Sequence, residues 1–156
     1  MTAPRPNYEE LLLQAISQAK AGAPQVSDEL RICASQSAEA IAKVTNGVGA
    51  LDLIPLSTPD ERPPAYQLQL RRVGHDGPPS DLGVYQLSEA GYPIQRWYSL
   101  LGWQSDQDPA GRPFFNKGDL EGHFRWMISD RSSRLVVLVA FIMQETVKEN
   151  SATSTS

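Results

Sequence analysis

The chain has 156 residues, of which 40% are hydrophobic and 21% are charged. This length fits one ordinary domain, and the charge content is too low for a chain that stays unfolded. Fourteen basic and eighteen acidic residues give a net charge of −4, which argues against a sequence-independent DNA-binding protein. We predict one globular domain over residues 1–147, followed by a disordered, serine- and threonine-rich tail over 148–156.

Cysteine usage and apolar runs indicate the compartment. Cys33 is the single cysteine, so it cannot form a disulfide within the chain. The amino terminus lacks the basic and apolar regions of a secretory signal, and the longest apolar run, Leu135–Met143, is about half of what a membrane span requires. These features predict a cytoplasmic protein with no membrane association.

The first 46 residues have the periodicity of two helices. Apolar residues recur at helical spacing over residues 7–21, and a second apolar stripe, which includes Cys33, runs over about 28–45. Because the connection is short, an antiparallel hairpin is predicted. We expect this hairpin to cover the sheet, but its second helix also presents a narrow alanine and serine surface. A homo-oligomer formed through the N-terminal helices is therefore a second possibility.

The middle of the chain has the pattern of strands. Residues 48–56 are apolar without a clear period, which fits either a short strand or a connector in the core. From Tyr66 to Arg71 apolar and polar residues alternate, which indicates a half-buried strand. Two further strands are predicted at Gly83–Leu87 and Tyr92–Tyr98, joined by a turn in which Gly91 takes a left-handed conformation.

A third helix is predicted after Asn116, whose side chain and the Asp119 carboxylate form a capping arrangement. The β-branched run Leu135–Met143 is typical of a strand covered on both faces, so it is placed at the centre of the sheet. The resulting order α-α-β-β-β-α-β is an α+β fold, with an N-terminal helical hairpin followed by a mixed β-sheet. It has a helical subregion over 7–46 and a strand-rich subregion over 65–145.

Catalytic motifs are weak in this sequence. Cys33 lies on an apolar helical stripe, where a thiol behaves as a small hydrophobic group, and no Gly-x-Ser-x-Gly motif is present. Asp119 and His123 share a face of the third helix, but a pair of ligands is too few to define a metal site. A small metal-dependent hydrolase is therefore the least favoured hypothesis, and neither a cofactor nor a metal is predicted.

The strongest functional signal is a mixture of basic and aromatic residues in the second half of the chain. All three tryptophans lie within thirty residues there, among eight of the fourteen basic residues. The strand predicted at residues 92–98 carries bulky side chains on both faces, which favours an exposed docking surface beside a sheet edge. The predicted binding residues, here called the arginine-aromatic surface, are Arg71, Tyr92, Arg96, Trp97, Tyr98 and Trp103.

Two functions fit this surface. The first is a non-catalytic adaptor or regulatory module that binds a protein partner, since arginine and aromatic residues are typical anchors of protein interfaces. The alternative is binding of single-stranded nucleic acid, in which bases stack on aromatic rings and arginines contact the backbone. Salt distinguishes them, because nucleic-acid binding weakens steeply as ionic strength rises.

Overall fold

The structure is a computed structural model that describes residues 7–56, 64–97 and 112–153. Its elements are two helices, four strands and two further helices, which confirms the α+β class. Their bounds are α1 Tyr8–Ala21, α2 Ala23–Val44, β1 Gly49–Pro55, β2 Ala65–Arg72, β3 Ser80–Ser88, β4 Gly91–Trp97, α3 Lys117–Ser129 and α4 Arg134–Thr153.

The four strands form one antiparallel sheet in the order β1-β2-β3-β4. The prediction of a mixed sheet centred on Leu135–Met143 is wrong, because this run lies in helix α4. The apolar segment after residue 48 is the strand β1, which pairs with β2 at the sheet edge. The strand-rich subregion predicted over 65–145 therefore contains three of the strands, together with α3 and part of α4.

The apolar run Leu135–Met143 is compatible with two types of secondary structure. An uninterrupted apolar run fits a buried helix as well as a buried strand, and periodicity does not separate them. Leu135 and Ile142 are both buried, and residues seven apart lie on the same side of a helix. The helix continues to Thr153 and so extends into the tail that was predicted to be disordered over 148–156. Residues 154–156 lie outside the described residues.

One hydrophobic core lies between one face of the sheet and helices α2, α3 and α4. Burying each large apolar side chain there contributes about 1.5–3 kcal/mol. The side chains with the least exposure are Leu30 of α2, Leu68 of β2, Tyr85 and Leu87 of β3, Ile94 of β4, Leu120 of α3 and Leu135 of α4.

Helix α1 is not part of this core, and every one of its residues is exposed. A single residue in a right-handed conformation, Gly22, separates it from α2, whereas a packed helical hairpin needs a loop of about two to five residues. Helix α2 starts five residues before its predicted start, because Pro24 is tolerated in a first turn where its missing N–H would have no partner. The two N-terminal helices are therefore confirmed, but α1 is not folded back on α2.

Several local predictions about turns and caps are confirmed. Asn46 and Gly47 have positive φ angles of 54° and 81° after α2, and Gly91 has a φ angle of 90° in the β3–β4 turn. At the start of α3, the Asn116 side chain accepts the Asp119 N–H at 2.8 Å. These residues act through their own backbone preferences, so local sequence is enough to predict them.

Candidate functional site

The two described arginines of the arginine-aromatic surface lie in different parts of the sheet. Arg96 of β4 pairs with Tyr85 of β3, and Tyr85 pairs with Tyr66 of β2, so these three residues lie in one row across the sheet. Arg71 of β2 lies in another row, where it pairs with Ala50 of β1. Tyr66 and Arg71 are five residues apart along β2, so the two rows are roughly 17 Å apart. Alternation along β2 also places Arg71 on the opposite face from Tyr66 and Arg96, so the two arginines do not share a surface.

Arg96 lies in the core, where only 7% of its surface is exposed. Alternation along β4 puts it on the same face as the fully buried Ile94, and the helices cover this face. Its guanidinium donates to the Leu82 carbonyl oxygen and lies 5.8 Å from the centre of the Tyr85 ring. Arg96, predicted as a partner-binding residue, is thus buried and hydrogen-bonded within the fold.

The other described members of the surface also have partners within the chain. The Tyr92 hydroxyl donates to the Glu29 carboxylate at 2.6 Å, which ties β4 to α2. Burial and this carboxylate raise the pKa of Tyr92. Arg71 is exposed, and its Nε lies 3.1 Å from the Asp52 carboxylate.

The remaining members of the surface fall at or beyond the edge of the described ranges. The backbone of Trp97 pairs with Val84 at the end of β4. Tyr98 and Trp103 lie outside the described residues. Among the described members, the structure thus places Arg71 and Arg96 apart.

A polar cluster in the core contains His123, which the sequence offered only for the least favoured hypothesis of a metal-dependent hydrolase. Its Nε2 atom lies 2.6 Å from the Tyr85 hydroxyl, and its ring lies 4.8 Å from the Phe114 ring, centre to centre. Burial, followed by the charge of Arg96, lowers the pKa of His123 well below its usual value. His123 is therefore neutral at physiological pH.

The hydrogen bonds of His123 define its tautomer. Every donor is satisfied when Nε2–H donates to the Tyr85 oxygen and the Tyr85 hydroxyl points to the Met127 sulfur, 3.9 Å away. Nδ1 then carries a lone pair without a partner among the described residues, which costs less than a buried N–H without one. This arrangement makes His123 a structural member of the core.

The two residues considered for catalysis, Asp119 and His123, line one cavity beside α3 but differ in exposure. Asp119 is exposed, and its carboxylate accepts the Phe115 N–H at 3.0 Å, while His123 points into the core. In residues 7–56, 64–97 and 112–153 no three potential metal ligands cluster. Cys33 is buried, as predicted, and burial is the main reason that the pKa of its thiol is raised.

The feature that sequence reasoning missed is an apolar groove between α2 and α4. It has a volume of about 290 Å³, and all of its lining residues are apolar. They are Ala40, Ile41 and Val44 from α2, Ile128 from α3, and Leu135, Val136, Val139, Ala140 and Met143 from α4. We refer to it as the apolar groove.

Several side chains of the apolar groove are open to solvent. Val44 is 54% exposed, Ile128 is 46% exposed and Met143 is 43% exposed. These exposures matter because α4 is apolar on all sides over Leu135–Met143, and a helix of that kind is normally covered all round. In the described part of the chain only one side of α4 is covered. The apolar run was the sequence signal for the groove, although it was interpreted as a central strand.

A second uncovered apolar surface lies on α1. Tyr8, Leu11, Leu12 and Ile16 have helical spacing, and their exposed fractions lie between 41% and 74%. We call these four residues the α1 stripe. A helix of 14 residues is marginal in water without tertiary contacts, so α1 needs a surface on which to pack.

None of the helices within the described ranges has the length and apolar character needed to cross a membrane. Uncovered apolar surfaces of this kind are characteristic of protein interfaces, since monomeric proteins rarely expose large apolar patches. No protein-family model, curated protein or solved structure matches the chain.

Proposed function

We propose that the protein is a non-catalytic adaptor or regulatory module of the cytoplasm that binds an amphipathic helix of a protein partner in the apolar groove. The observation that carries this proposal is the exposure of Val44, Ile128 and Met143 beside the covered side of α4. The proposal keeps the class of partner predicted from the sequence and moves the binding surface from the strands to the helices.

The shape and chemistry of the apolar groove favour a helix as the ligand. Side chains of α2 and α4, with Ile128 of α3, line it, and an amphipathic helix docked there would bury apolar side chains at positions i, i+3, i+4 and i+7. An extended peptide would instead need backbone hydrogen-bond partners, which helix faces do not offer. Transfer of exposed apolar surface out of water supplies the binding free energy, at about 25 cal/mol per Å² before the entropic costs of association.

The test uses a panel of synthetic amphipathic peptides that carry leucine at i, i+3, i+4 and i+7, titrated into the full chain and followed by amide chemical shifts. We expect at least one peptide to shift resonances of the C-terminal half of α2 and of α4. Ala140→Arg places a long charged side chain in the groove and should weaken this binding at least tenfold. The exposed Ile32, which is 54% exposed and does not line the groove, provides the matched control Ile32→Lys.

Two outcomes contradict the proposal. One is that no peptide shifts resonances of α2 or α4. The other is that Ala140→Arg and Ile32→Lys bind the peptides as tightly as the unmodified chain does. Thermal unfolding of each variant shows whether a loss of binding reflects a loss of folding.

A further inference from the structure

We infer that the helix that occupies the apolar groove is α1 of a second copy of this chain, so that two copies exchange their first helices in a reciprocal dimer. The inference rests on the proposed function, since it names the partner of the same groove. It joins two of the uncovered apolar surfaces of the described chain, which are the α1 stripe and the apolar groove.

A chain cannot fill its own groove with its own α1. Helix α1 is attached to the start of α2 through Gly22, and the nearest groove residue on α2 is Ala40. Eighteen residues of helix separate these two positions, which is about 27 Å, whereas the 14 residues of α1 span about 21 Å. Even if α1 were folded back along α2, Tyr8 would stop short of the groove. The occupant therefore comes from another molecule.

The α1 stripe has the features of a helix that binds in a groove. Four of the apolar residues of α1 follow the i, i+3, i+4, i+8 spacing of one helix face, while Leu13 lies outside this face and is also exposed. Docking would also stabilise α1 itself, because a short helix gains most of its stability from the packing of its apolar face. The same contact thus accounts for an exposed helix and for an uncovered groove.

The area of the contact is compatible with a specific dimer. The exposed fractions of the α1 stripe correspond to roughly 400 Å² per copy, given a surface on the order of 150–200 Å² for a large side chain. Two reciprocal contacts cover roughly 800 Å² of stripe surface, and the exposed groove side chains of both copies add to this, which brings the total toward the lower end of specific interfaces at about 1,200 Å². Because both copies give and receive a helix, the assembly closes on itself as a two-fold dimer.

Charge at the helix ends favours the same pairing. The first turn of α1 carries Glu9 and Glu10. The end of the groove next to Ile128 and Leu135 is flanked along the chain by Arg131 and Arg134. Carboxylates at one end of the docked helix can therefore approach guanidinium groups at one end of the groove, which would set the direction of docking.

The first test is the mass of the full chain in solution, measured by light scattering after size exclusion over a range of concentrations. We expect twice the monomer mass of 17.2 kDa. Leu12→Glu in the α1 stripe and Ala140→Arg in the groove should each return the mass to that of a monomer. Ile32→Lys, which changes an exposed apolar residue outside both surfaces, should leave the dimer intact.

The second test mixes the two disrupted variants. Leu12→Glu retains an intact groove and Ala140→Arg retains an intact α1 stripe, so one of the two reciprocal contacts can form in a mixed dimer. We expect a heterodimer from two proteins that are monomeric alone.

Three results would overturn the inference: a monomeric unmodified chain, a dimer that survives both substitutions, or a mixture of the two variants that stays monomeric. If the unmodified chain is monomeric and the synthetic peptides still bind, the proposed function holds without the inference; if the peptides also fail to bind, both fail.

Discussion

Arg96 and His123 carry functional chemistry but serve the core of this protein. A buried polar group costs free energy unless it is hydrogen-bonded, and each of these side chains has a partner on a strand. Arg96 donates to the Leu82 carbonyl oxygen, and the His123 ring is joined to the Tyr85 hydroxyl. Residue type alone did not indicate this, because arginine and histidine are also common at binding sites.

The neutral state of His123 predicts a pH dependence of stability. Its pKa in the folded chain is well below the unfolded value of 6.5, so the unfolded chain binds the proton more readily and acid favours unfolding. The contribution of His123 to the free energy of unfolding should be constant above about pH 7.5 and should fall by about 1 kcal/mol between pH 7.5 and 5.5. Urea unfolding at the two pH values measures the difference.

Substitution of each histidine identifies the source of that pH dependence. His123→Gln keeps a group that can hydrogen-bond to Tyr85 and removes the titration, so the fall between the two pH values should shrink. His75 is exposed in the β2–β3 loop and provides the control variant His75→Gln, which should retain the fall. An unchanged fall in His123→Gln would show that another group is responsible.

At the scale of the elements, the agreement between sequence and structure depends on periodicity. The strands β2, β3 and β4 were predicted to within one to three residues at each end, because alternation of apolar and polar residues has a single structural meaning. Helix α3 was found in the same way from its apolar stripe and its Asn116 cap. The run in α4 has no period, so its type was decided by packing rather than by local pattern.

A substitution in the β3–β4 turn tests how closely this turn packs against α2. Gly91 has a φ angle of 90°, and a Cβ atom placed on it would lie 2.5 Å from Cγ2 of the buried Val26 in α2. Gly91→Ala should therefore lower the free energy of unfolding by about 2 kcal/mol or more, through backbone strain and the clash with α2.

A second glycine provides the matched control for that substitution. Gly77 lies in an exposed loop, and a Cβ atom there would meet no atom within 4 Å. Gly77→Ala should change the free energy of unfolding by less than about 0.5 kcal/mol. Chemical denaturation measures both variants, and equal effects would mean that the turn does not pack on α2 as described.

At the scale of the whole molecule, the net charge of −4 and the uncovered apolar surfaces act in opposite directions. Two copies repel each other through their net charge, while the α1 stripe and the apolar groove attract through burial of apolar surface. Salt screens the repulsion and does not weaken apolar burial. Ionic strength therefore separates the two contributions.

The proposed dimer should be at least as stable in about 1 M salt as in about 0.1 M salt, where the range of electrostatic interactions is roughly threefold longer. Sedimentation equilibrium at both salt concentrations measures the dissociation constant. Association held mainly by charge would weaken as salt rises, which would contradict an apolar contact. Single-stranded nucleic acid added in the same experiment should not bind; steeply salt-dependent binding would instead favour the alternative based on the arginine-aromatic surface.

Local pattern was sufficient for the class of the fold, the two N-terminal helices, three of the strands, the turn at Gly91 and the cap at Asn116. Each of these depends on residues close together in the chain, through periodicity or backbone preference. The identity of α4, the burial of Arg96 and the two uncovered apolar surfaces depended on contacts between distant segments. An apolar run indicates that a segment buries side chains on several sides. Only the packing of the other elements determines which of these sides are buried within the chain and which stay exposed to a partner.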